Sequence, residues 1–98
     1  MFSHVVIWWT KPDLPNAADD LVAGAQKYLR SIPNTFHFHV GKMVPSSRPV
    51  VEQSYQVALN VVFADKQGHD EYQAHPSHLE FAKQCSPLWA RLVVYDFE

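Results

Sequence analysis

Phe2-Ser3-His4-Val5-Val6-Ile7-Trp8-Trp9-Thr10 reads as a β-strand with no wet side. β-Branched and aromatic residues fill it, and Lys11-Pro12-Asp13 closes it. Alternation sends His4, Val6 and Trp8 to one face and Val5, Ile7 and Trp9 to the other. A strand in a sheet solvated on one side would alternate apolar with polar residues. This strand is therefore predicted to be covered on both sides.

Residues 17–31 are predicted to be a helix. Asn16 stands at its N-cap, and Asp19 and Asp20 suit the positive end of the dipole. Ala18, Leu21, Val22, Ala25, Tyr28, Leu29 and Ile32 form one apolar stripe. Gly24 weakens the helix interior by about 1 kcal/mol relative to Ala, so its place calls for close packing or free room. Residues 35–44 alternate, with Phe36, Phe38 and Val40 against His37, His39 and Gly41. After the Pro45–Pro49 loop, residues 54–63 form a third strand with Tyr55, Val57, Leu59, Val61 and Phe63 on one face. Asp65 caps a helix over 66–74, Pro76 opens another over 76–85, a short turn precedes Trp89, and 91–97 are the last strand. The order β-α-β-β-α-β, with the second helix broken, specifies an α+β fold: a ferredoxin-like antiparallel sheet with helices on one face. Its other face would carry Val5, Ile7, Trp9, Ala58, Val62, Val93, Tyr95 and Phe97. So apolar a surface needs a partner, and an identical sheet related by a two-fold axis would close a barrel across a homodimer.

The 98 residues, 47% hydrophobic and 18% charged, fit a single globular domain over 1–98 whose core is thin. A net charge of −2 offers no field for nucleic acid. The longest apolar run, Val5–Trp9, is too short to span a membrane. Met1-Phe2-Ser3-His4 does not read as a signal peptide, and a lone Cys85 excludes an internal disulfide, so a cytoplasmic location is expected.

Tyr72-Gln-Ala-His75-Pro76-Ser-His78, followed by Phe81, is the most specific stretch of the chain. With His4-Val5-Val6-Ile7 at the start and Val93-Val94-Tyr95-Asp96-Phe97 at the end, it resembles the stress-responsive dimeric α/β-barrel (Dabb) family from end to end. The resemblance implies a dimer whose two sheets make a barrel with helices outside. It implies no single function, because that family includes stress-associated proteins and many members of unknown role. In its plant polyketide cyclases the matching Tyr and second His are the catalytic pair, here Tyr72 and His78, and His4 matches a pocket histidine. Val57 stands where those cyclases have another pocket histidine, and Leu21, Val22 and Ala25 replace larger aromatic side chains of the first helix.

Two readings follow. His78 could exchange a proton and the Tyr72 hydroxyl could hold an oxyanion, together enolising a carbonyl or polyketide-like substrate without a cofactor, as a lyase or cyclase does. Alternatively, His75-Pro76-Ser77-His78 fixes the kink and Tyr72 packs in the core of a stress-associated protein that binds a small apolar or aromatic ligand without turnover. Trp8, Phe81 and Trp89, with Tyr28 nearby, would line the pocket, together with His4, Val6 and Leu59. Monooxygenase chemistry, known in related dimeric barrels, has less in its favour. His37 and His39 share a strand face and His75 and His78 are three apart, but neither pair has a third ligand at a familiar spacing. No metal and no other cofactor are expected from them.

Overall fold

The computed structural model describes residues 1–98. Strand β1 (Phe2–Thr10) leads to helix α1 (Ala17–Tyr28) and strand β2 (Thr35–Lys42). After a long loop come β3 (Val57–Phe63), α2 (Lys66–Ala74), α3 (Pro76–Cys85), a 3-10 turn at Ser86–Leu88 and β4 (Trp89–Phe97). The sheet order is β2-β3-β1-β4, all neighbours antiparallel, which is the ferredoxin-like arrangement. The apolar strand of the opening sequence is thus interior to the sheet, between β3 and β4.

Register decides which residues face the helices. On that side β1 presents Phe2, His4, Val6 and Trp8, opposite Phe63, Val61, Leu59 and Val57 of β3. Across the other edge, His4, Val6 and Trp8 meet Asp96, Val94 and Leu92 of β4. The core between this face and the helices holds Leu21, Ala25 and Leu29 from the α1 segment and Tyr72, Phe81 and Cys85 from α2 and α3. The opposite face has no helix over it. Val5, Ile7, Trp9 and Val93 are half-buried there, and Tyr95 and Phe97 are about 60% and 59% exposed.

Local chemistry explains most boundaries. The Asp65 carboxylate accepts from the Gly68 N–H at 3.0 Å and starts α2. Pro76 forbids a helical conformation at the residue before it, and His75 is extended (φ −64°, ψ 139°), which breaks α2 from α3. The His75 Nδ1 then caps α3 by accepting from the Ser77 N–H at 3.0 Å. Ser77 Oγ donates to the Tyr28 carbonyl, so the kink is tied to the end of α1. Asn34 takes the left-handed conformation (φ 70°) that turns the chain into β2.

Several sequence expectations are corrected. Asn16 makes no side-chain capping bond, and α1 stops at Tyr28 rather than 31. A bulge between Thr35 and His37 turns Phe36 out of the apolar face, leaving it 67% exposed. Strand β3 begins at Val57, and Tyr55 instead borders a depression on the uncovered face with Val5, His39 and Ala58. Gly24 serves close packing: a Cβ there would overlap the Cys85 sulfur of α3.

Candidate functional site

A cavity of about 140 Å³ lies between the sheet and the helices. Val6 and Trp8 of β1 form its floor with Leu59 of β3, and Phe81 and His78 of α3 its roof. Trp89, Leu92 and Val94 of β4 close one side, His4 and Gln73 an end, and Leu29 the back. Leu92 and Val94 are 39% and 43% exposed, so the cavity reaches the surface along the β4 edge, where no helix covers the sheet.

The wall is aromatic and interlocked. Trp8 lies 6.0 Å, centroid to centroid, from both Phe81 and Trp89. The indole N–H groups of two wall residues, Trp8 and Trp89, are buried without an acceptor. An unpaired buried donor costs about 1–3 kcal/mol.

His78 sits at the first turn of α3 because His75 and Pro76 restart the helix there. Its ring faces the edge of Tyr72 at 4.9 Å and lies 6.2 Å from Phe81. Burial holds its pKa below the ordinary value near 6.5, and His4 and His69 add to the shift, so its neutral form is favoured. Tyr72 stands behind it. The Tyr72 side chain is 1% exposed, is absent from the cavity wall, and has a buried hydroxyl with no partner. Burial pushes that phenol strongly upward, so it can act only as a neutral O–H donor.

His4, 3% exposed, is the one buried polar residue of the core. The β1–β4 register places it opposite Asp96, and its Nδ1 donates to Asp96 Oδ1 at 2.6 Å. A carboxylate can only accept, so the bond fixes the tautomer and leaves Nε2 as an acceptor, 3.3 Å from the Gln73 Nε2. Burial lowers the His4 pKa and the Asp96 contact partly offsets this. Gln73 also reaches His69 at 3.3 Å, whose Nδ1 lies 3.1 Å from Asp70 Oδ1.

The structure thus brings His4, Val6, Trp8, Leu59, His78, Phe81 and Trp89 to one cavity, with Tyr72 one layer back. Tyr28 packs against the core but does not line the space. His37 and His39 lie on the uncovered face with ring centroids 6.4 Å apart, and His75 is used in capping. Sequence reasoning missed Asp96, Gln73 and His69. A signal existed for Asp96, because strict alternation from Val94 puts a carboxylate on the buried side of β4. None existed for Gln73 or His69, which stand on a helix without a clear apolar stripe.

The family model of the stress-responsive A/B barrel domain matches residues 2–98. A crystal structure of an Arabidopsis thaliana protein, refined as an ensemble, superposes with a TM-score of 0.80 at 27% identity, over 100% of this chain and 94% of that one. A dimeric ferredoxin-like protein of unknown function from Thermobifida fusca gives 0.78 at 18% identity, over 98% of this chain and 88% of that one. A hydroxynitrile lyase from Passiflora edulis gives 0.76 at 22% identity, over 98% and 90%. With the family model spanning nearly every residue and the fold shared across these structures, the chain belongs to the stress-responsive A/B barrel domain family.

Proposed function

We propose that the chain acts as a homodimer in which each subunit holds one small, mostly apolar carbonyl compound in the cavity beneath His78. The observation that carries the ligand reading is a pair of unpartnered indole N–H donors on two wall residues, Trp8 and Trp89, in a wall whose other polar side chains are His4, Gln73 and His78. A carbonyl oxygen would satisfy one of them, and the surrounding rings would take the hydrocarbon part. The cavity is close in size to apolar cavities of about 150 Å³ that bind benzene. Benzaldehyde is therefore a suitable probe and toluene its control. Tryptophan fluorescence titration should show tighter binding of the aldehyde, by about tenfold for one hydrogen bond. Replacing both indoles, Trp8→Phe with Trp89→Phe, should erase that difference. Equal binding of aldehyde and hydrocarbon by the parent, or no binding of either, would refute the ligand reading.

The dimer reading rests on the uncovered face of Val5, Ile7, Trp9, Val93, Tyr95 and Phe97, and on the dimeric state given for the Thermobifida fusca relative.

A second reading is favoured by the 2.6 Å His4–Asp96 bond beside His78. A neutral, partly buried His78 is able to remove a proton next to a carbonyl, and the oriented His4 Nε2 is an acceptor nearby once Gln73 shifts. This would make the protein a cofactor-free lyase or cyclase, and a hydroxynitrile lyase shares its fold. A screen of carbonyl and cyanohydrin substrates followed by His78→Ala decides it. Loss of about 10²–10⁴-fold in turnover with the fold intact supports catalysis. A lowered melting temperature with no activity to lose supports binding alone.

A further inference from the structure

We propose that His4, His69 and Asp96 form a binding site for a divalent transition metal ion of the zinc type, at the end of the sheet beside the cavity. One donor atom from each lies within 4.8 Å of the others. They come from β1, α2 and β4, so the site exists only in the folded chain. The donor set, two imidazoles and one carboxylate, is one that zinc and its neighbours in the first transition row accept.

The Asp96 carboxylate spans the two rings. Its Oδ1 faces His4 Nδ1 at 2.6 Å, and its Oδ2 faces His69 Nε2 at 3.9 Å. The first contact is a hydrogen bond in which a metal would replace the proton. The second is too long for a hydrogen bond, and a shift of a few tenths of an ångström would bring these atoms to the ~3.3–3.6 Å at which two donors stand on a tetrahedral zinc with bonds of ~2.0–2.2 Å. His69 is already prepared for ligation. Its Nδ1 donates to Asp70 Oδ1 at 3.1 Å, which fixes the tautomer and leaves Nε2, the atom 3.9 Å from Asp96 Oδ2, as an acceptor. That carboxylate–histidine pairing is the usual support behind a metal-bound imidazole. In the metal-free state the Gln73 amide occupies the Nε2 atoms of both rings at 3.3 Å, and it is a fourth polar group able to turn its oxygen inward. The His69 side chain is 12% exposed and that of Asp96 38%, so an ion has a way in and a free coordination position.

Tag-free, chelator-treated protein titrated with Co²⁺ tests the assignment through the visible d–d absorption of the bound ion, with Zn²⁺ as competitor. One Co²⁺ per chain, displaced by Zn²⁺, is expected. Affinity should fall at least about tenfold in His69→Ala and in Asp96→Asn, and by a similar factor in Asp70→Asn, while His37→Ala with His39→Ala leaves it unchanged. Circular dichroism checks that each variant is folded; His69→Ala, on the partly exposed helix, is the variant expected to keep the fold if Asp96→Asn does not. Absence of stoichiometric Co²⁺ at micromolar concentrations, or binding lost with His37 and His39 instead, overturns the proposal.

Discussion

Gly24 shows how a residue's context reverses its intrinsic preference. In an exposed helix, Gly24→Ala would gain about 1 kcal/mol. Here the added methyl meets the sulfur of buried Cys85, where α1 and α3 touch. Overpacking costs about 1–3 kcal/mol, so Gly24→Ala should lower the urea midpoint. Gly24→Ala with Cys85→Ala should recover most of that loss, because the overlapping atom is gone. A stabilised single variant would show that the contact is looser than described. At this scale the sequence was informative about side chains whose own chemistry is unusual. His4, Trp8 and His78 were marked by type and position, and they meet at one cavity. Their pairing was hidden: alternation from Val94 puts the Asp96 carboxylate on the helix side of β4, but Asp96 lies 92 residues from His4 and no spacing rule connects the two. The same distance hid the His4–His69–Asp96 cluster, whereas His37 and His39, two apart in sequence, share a strand face that no third donor joins.

At the scale of elements, the broken second helical region is the clearest case of local sequence dictating geometry. Asp65 caps α2, His75 and Pro76 end it and start α3, and the observed bounds are those the sequence predicts. Strand ends were less legible where a bulge intervened, as at Phe36, because a bulge is a pairing event between strands and leaves no mark on one strand alone. The kink also carries an acid sensitivity. His78 on α3 and His4 on β1 are both held below the ordinary histidine value near 6.5, chiefly by burial. Between their lowered folded values and 6.5 the unfolded chain binds protons that the folded chain does not. Stability is therefore complete above about pH 6.5 and falls as pH drops through that window. Urea unfolding between about pH 7.5 and pH 5 should show this slope, and His78→Asn should flatten it. A pH-independent midpoint would mean that neither histidine resists protonation.

For the whole molecule, the ferredoxin-like topology was readable from element order, and the need for a cover on the uncovered face from β1 and β4 being apolar on both sides. The pocket and several of its lining residues were expected; what no sequence pattern gave was its size and its opening along β4, which depend on how far α3 stands off the sheet and on the exposure of Leu92 and Val94. The homodimer can be tested at the face that motivates it. Val93→Asp should convert a species of twice the chain mass in sedimentation to one of single mass, since an unpaired buried charge costs several kcal/mol. Unchanged mass in Val93→Asp, or a monomeric parent, would remove that face from any interface.

Strand β1 pairs with β4 from Ser3↔Phe97 to Thr10↔Trp89, so the interior of the sheet is sealed by two strands far apart in sequence. Residues of β1 must wait for those of β4, 92 positions later at His4 and Asp96, before that pair meets or the cavity gains its β4 wall. Until then β1 exposes a continuous apolar ribbon with an unpaired edge, the form of segment that chaperones hold and that aggregates when they do not. Long-range closure of this kind slows folding. The site is therefore also a late reporter of folding: a truncated or stalled chain would possess the helices and most of the core, and yet have no pocket.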